Sequence, residues 1–178
     1  MDILVSSNLE RLLFEMTGHN GAKIVEWMNE LNQSGSYSVD ALTLRQLQGV
    51  FVGGFSDESG ILKTIREVYD RYDHVVDTHT AVGFNVYGRY YSRSGDESKT
   101  IFVATASPFK FADSVMDAIN GNGYSKGRSS EVIIRELSEE SSLEVPAGLT
   151  NLSEKPVLHD TRINKENMQK AVAEILGV

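Results

Sequence analysis

Two short segments carry the polar groups whose types and spacing could do chemistry. In Thr105-Ala106-Ser107-Pro108-Phe109-Lys110-Phe111, two hydroxyls follow the almost purely apolar run Thr100-Ile101-Phe102-Val103-Ala104. If that run is a strand, the hydroxyls of Thr105 and Ser107 lie beyond its carboxyl end, where open α/β sheets bind ligands. Helix capping accounts for Ser107, with Pro108 suited to the first helical position. It does not account for Thr105, because a hydroxyl finishing so apolar a strand needs a polar partner. In the second segment, Asp77-Thr78-His79-Thr80-Ala81-Val82-Gly83, polar groups crowd the start of an apolar and aromatic helix. Asp77 or Thr78 is a sound N-cap there, and His79 either satisfies a backbone carbonyl or faces a site.

Other apparent motifs dissolve on inspection. Gly121-Asn122-Gly123-Tyr124-Ser125-Lys126-Gly127 resembles a phosphate loop but follows a helix rather than a strand, so a plain loop is the better reading. Gly49 to Gly54 has no Gly-Lys-Ser/Thr after it. The histidines, His19, His74, His79 and His159, never pair at helical spacing, and without a cysteine to assist them no metal site is expected.

The elements that must position the two segments follow from periodicity. Ile3-Leu4-Val5 reads as a brief strand, Asn8 to Met16 as a helix stopped by Gly18, and a second helix runs from Gly21 to Gly35 with Ile24, Trp27, Met28 and Leu31 inward. Residues 49–54 suit a strand with a tight exit. Ser56 then caps an amphipathic helix with Ile61, Leu62, Ile65, Val68, Tyr69 and Tyr72 inward. A Val75-Val76 strand leads to a helix from Asp77 through Tyr91. Residues 100–105 read as a parallel strand covered on both faces, since they are apolar without alternation. The helix opened by Ser107 and Pro108 ends near Gly121. The glutamates of residues 131–142 form a solvated face, and Arg162 to Gly177 is one helix with Met168, Val172, Ile175 and Leu176 inward. The alternation predicts an α/β fold: a layered sheet of mainly parallel strands flanked by helices over residues 1–121, with a helical extension over 122–178 packed on it.

Composition bounds the function. The 178 residues carry a net charge of −8, which argues against nucleic-acid binding, since phosphate recognition runs on clustered cations. No stretch approaches the roughly 20 apolar residues of a membrane span, and the N-terminus lacks a signal-peptide layout. The absence of cysteine excludes disulfides, thiolate metal sites and a thiol nucleophile, and favours a reducing, cytoplasmic setting.

The two segments, together with Ser6-Ser7-Asn8-Leu9-Glu10-Arg11-Leu12-Leu13-Phe14, resemble in order and spacing the C-terminal half of threonine synthases. That family's forms are Ser-Ser-Asn-(Phe/Leu)-Glu-Arg, Asp-Pro-His-Thr-Ala-Val and Thr-Ala-(His/Ser)-Pro-X-Lys-Phe. Thr78 stands here where proline is common, which costs a rigid helix entry and leaves the cap chemistry in place. The resemblance implies a fold-type II pyridoxal-phosphate lyase that converts O-phosphohomoserine and water to threonine and phosphate. It also implies that Thr105 hydrogen-bonds the pyridine nitrogen of the cofactor. His79, Ser107 and Lys110 could line the same mouth. The family's Schiff-base lysine sits in a Ser-Phe-Lys-Asp-like segment, and no lysine here has that context. The chain therefore reads as a C-terminal fragment, without a catalytic lysine and inactive alone, whose uncovered apolar surface favours self-association. A threonine synthase-like phospholyase is the alternative enzyme, and an independent α/β binding module is the alternative from another class.

Overall fold

The computed structural model describes residues 5–158 and 160–177, and within them every regular element is helical. Several of the helices begin at a complete side-chain cap. Helix α1 (Ser7–Met16) is capped by Ser6, α2 (Gly21–Ser34) by Asn20, and α4 (Glu58–Tyr72) by Asp57, each side-chain oxygen accepting from a backbone N–H of the first turn. Helix α5 (Thr78–Ser94) begins at Asp77, and α7 (Ser130–Ser141) at Ser129. Ser107 caps a single 3-10 turn, Pro108–Phe111, that runs directly into α6 (Ala112–Asn120). Left-handed residues stop several helices, with Gly35 ending α2 and Gly95 ending α5.

Helix α3 (Ala41–Val50) had no counterpart in the sequence reading. Its signal is nonetheless present, in Asp40 as cap and Leu44 and Leu47 as periodic apolar positions. Asp40 accepts from the Thr43 N–H at 2.8 Å and pairs with Lys23. The Lys23 ammonium and the Thr43 N–H hold its carboxyl down at about 2.

The expected layered sheet is overturned: no strand is present among the described residues. Residues 49–50 belong to α3, residues 51–57 are irregular, and Val75 and Val76 are buried without a ladder. The largest departure is the run 100–105. It has no regular structure, and its Ile101 and Val103 are 87% and 75% exposed where burial on both faces was expected. A strand exists only where a neighbouring strand satisfies its N–H and C=O groups, and no described segment supplies one. The C-terminal reading is corrected similarly. Helix α8 covers only Met168–Leu176, after a short turn at Lys165–Asn167, and Met168, Val172, Ile175 and Leu176 are exposed while Ala171 is buried. Ile3, Leu4 and His159 lie outside the described residues.

The chain divides into two compact units, Met1–Gly54 and Phe55–Val178. In the first, Leu13 of α1 packs with Ile24 and Trp27 of α2, supported by Met28, Tyr37 and Leu47. In the second, α4, α5, α6 and α7 close around Ile65, Val68, Ala81, Val115, Met116, Ile119, Ile133 and Leu137. That second core also takes in Val75, Val76 and Phe109, and so holds the two ends of the chemically suggestive segments in place.

Candidate functional site

The N-terminus of α5 is built on a buried carboxylate. Asp77 is only 1% exposed, and its Oδ1 accepts from the His79 N–H at 2.8 Å and the Thr80 N–H at 3.3 Å. Its Oδ2 accepts from the Thr80 hydroxyl. Both oxygens are therefore satisfied inside the first turn, which explains how a charge can be buried there. No proline is needed at position 78, because the Asp77 side chain already fixes the helix entry.

His79 does not cap a backbone carbonyl. Its Nδ1 lies 3.4 Å from both the Thr78 hydroxyl and Asp77 Oδ1, and its half-buried ring leans on Phe111 with centroids 4.9 Å apart and planes inclined by 44°. The Lys110 ammonium sits 5.5 Å from the centroid of that same Phe111 ring, a cation–π contact. Phe111 thus joins the two segments, with His79 from one and Lys110 from the other on a single aromatic ring. Lys110 itself is exposed, and beside it a cleft of about 270 Å³ opens between Phe109, Lys110, Phe111, Asp113, Ser114 and Ser130.

Ser107 performs the capping role read from sequence, its Oγ accepting from the Phe109 N–H at 3.3 Å. Thr105 differs. Its side chain is exposed, and among the described residues its hydroxyl enters no side-chain hydrogen bond. The loop after α6 also behaves as read: the Ser125 N–H donates to Asp117 Oδ1 at 2.7 Å, so a carboxylate already occupies an amide that an anion would need. No group of three or more His, Asp or Glu is arranged to hold a metal among the described residues, and none of their helices is long and apolar enough to cross a membrane.

The side chains that sequence reasoning missed are those that hold the 100–105 segment. Phe102 stacks on Phe84 of α5 at 3.8 Å with planes 8° apart and meets Tyr87 edge-on at 5.4 Å. These rings also line a groove of about 840 Å³ along α4 and α5, which includes Thr64, Asn85 and Arg89. Treating the run as a strand buried on both faces hid the alternation that would have found this contact: Phe102 turns inward while Ile101 and Val103 turn out.

Comparison with known proteins decides the family. The threonine synthase C-terminal family model matches residues 80–174, more than half of the chain. The chain belongs to the threonine synthase C-terminal family. Among individual relatives, the threonine synthase of Pseudomonas aeruginosa is 34% identical over 118 residues, covering 66% of this chain and 25% of that protein. The threonine synthase-like 1 protein of Macaca fascicularis is 28% identical over 170 residues, covering 96% of the chain and 21% of the relative. Among solved structures, the yeast threonine synthase superimposes with a TM-score of 0.70 at 27% identity, over 99% of this chain and 35% of its own. A pyridoxal-phosphate-bound threonine synthase from Brucella melitensis gives a TM-score of 0.60 at 28% identity, over 82% of this chain and 29% of its own. The chain thus spans between a fifth and about a third of the length of the threonine synthase relatives and structures it matches.

Proposed function

We propose that this chain is the C-terminal portion of a pyridoxal-phosphate-dependent threonine synthase, which converts O-phosphohomoserine and water to threonine and phosphate. The observation that carries the reading is the family match beginning at Thr80 and spanning the Thr105 segment. An exposed Thr105 hydroxyl supports it, because a group that must reach a cofactor has to be left unspent by its own chain. The remaining two-thirds or more of the polypeptide, by the lengths of the relatives, supplies the covalent lysine and the cofactor-phosphate loop.

Bound there, the cofactor supplies an electron sink. Thr105 would hold the ring nitrogen through its hydroxyl, an uncharged partner that, unlike an aspartate, would not favour a protonated ring. A cofactor held by such a neutral partner would favour elimination and replacement at the outer substrate carbons over transamination. His79, whose Nδ1 lies within 3.4 Å of the Thr78 hydroxyl, and the Lys110 ammonium line the same mouth. The substrate's phosphate and carboxylate make a cation useful at that position.

Alone, the 178-residue chain is inactive, and the exposed Ile101, Val103, Ile175 and Leu176 favour its self-association. A threonine synthase-like phospholyase acting on a related phosphorylated amino compound is the second reading; a threonine synthase-like protein, threonine synthase-like 1, matches 96% of the chain. The test is product analysis with the complete polypeptide and pyridoxal phosphate. Threonine and phosphate from O-phosphohomoserine, and none from this chain alone, is the expected result. Phosphate release without threonine would select the phospholyase reading, and cofactor-dependent turnover by the short chain would overturn both.

A further inference from the structure

We propose that helix α5 fixes the position of Thr105 through two aromatic anchors, and that Phe84 and Phe102 are positioning residues for its hydroxyl. The first anchor is the Phe102 ring, stacked on Phe84 at 3.8 Å and set edge-on against Tyr87 at 5.4 Å. A Cβ at Gly83 would lie 4.0 Å from the Phe102 ring, in ordinary contact, so the ring packs beside the α5 backbone there. The second anchor is Phe111, which leans on His79 in the first turn of the same helix at 4.9 Å. Between the anchors, Ser107 caps its turn and Phe109 is buried in the core.

Geometry then dictates what the intervening chain does. The nine residue steps from Phe102 to Phe111 could reach about 30 Å if extended. The α5 residues they touch, His79 and Phe84, are five positions apart, about 7.5 Å along a helix axis. The chain must bow away from α5 between them, and the exposed Thr105 lies in that bow. The exposure of Ile101 and Val103 on either side of Phe102 means that one ring, rather than general collapse, secures the N-terminal end of the bow. The stacked rings act on the proposed chemistry only through Thr105, and in that respect the inference rests on the reading of Thr105 given above.

The experiment is backbone ¹⁵N relaxation on the 178-residue chain, comparing the native sequence with Phe102→Ala, Phe102→Leu and Phe102→Tyr. In the native chain, residues 103–106 are expected to have order parameters near the rigid value of about 0.85, falling below about 0.6 in Phe102→Ala with the amides of α4, α6 and α7 unmoved. Phe102→Tyr keeps the stacked ring and restores rigidity. Should Phe102→Ala unfold α5, Phe102→Leu reads the same quantity, because it retains apolar volume and loses the stack. A bow as mobile in the native chain as in these variants, or one that stays rigid without the ring, would overturn the proposal. A rigid bow in a chain whose complete polypeptide makes no threonine would overturn the functional reading and leave the anchors standing. A flexible bow in an active enzyme would do the reverse.

Discussion

Residues 130–141 and residues 100–105 are both rich in branched apolar side chains, yet their fates in the structure are opposite. In α7, Ile133 and Leu137 are wholly buried against α6, while Glu131 and Glu139 face outward. In the 100–105 run, Ile101 and Val103 stand in solvent and only Phe102 finds a partner. The difference lies in what each segment needs. A helix satisfies its own backbone and has only to bury one face, whereas an extended segment needs a neighbour for its hydrogen bonds as well as its side chains. Hydrophobicity alone therefore does not forecast burial; the availability of a backbone partner does.

Substitutions that break this comparison can be ranked by size. Leu137→Ala removes a fully buried side chain from the α4–α7 core and should destabilise the chain by about 2–5 kcal/mol in chemical denaturation. Asp77→Ala is expected to cost about 1–2 kcal/mol in the same experiment, because it strips the α5 cap and leaves the buried Thr80 hydroxyl without its acceptor. Gly83→Ala should raise stability by about 0.5–1 kcal/mol, since the added methyl makes only ordinary contact with Phe102 and removes a flexible residue from mid-helix. The paired change Ile101→Ser and Val103→Ser should leave stability within about 0.5 kcal/mol. Sedimentation should at the same time register weaker self-association; a large loss of stability would mean that the run is packed after all.

The smallest expected effect is electrostatic and belongs to the first unit. Lys23 and the Thr43 N–H hold the Asp40 carboxyl at about 2 in the folded chain, below its ordinary value of 3.8. A depressed carboxylate contributes stability that is fully present above the unfolded value and is lost as pH falls through the folded one. The melting-temperature gap between the native chain and Asp40→Asn should accordingly be constant from pH 7 down to about 5 and close between about pH 4 and 2. A gap that persists at pH 2 would remove the ion pair as its cause.

What could be read from the sequence was what is local. The caps at Ser107 and Asp77, the stop at Gly35 and the inward face of Ile65 and Val68 depend on residues within a turn or two of one another, and all are present. Asp57 rather than Ser56 caps α4, a shift of one residue between two competent side chains. The sheet failed because strand pairing is non-local, and composition cannot say whether a partner is within reach. The inward face assigned to α8 failed for the same reason: Ile175 is 74% exposed because an amphipathic stripe is buried only where something lies opposite it. At the candidate site, motif chemistry named His79, Ser107, Lys110 and Thr105. It could not foresee that Phe111 would join His79 to Lys110, or that Phe102 would tie the Thr105 segment to α5.

The most direct test of the account is a crystal structure of the complete polypeptide with pyridoxal phosphate bound. Thr105 Oγ1 should lie within hydrogen-bonding reach of the pyridine nitrogen, about 2.6–3.2 Å, with Phe102 still stacked on Phe84. A carboxylate at that nitrogen, or Thr105 turned away from the ring, would contradict it.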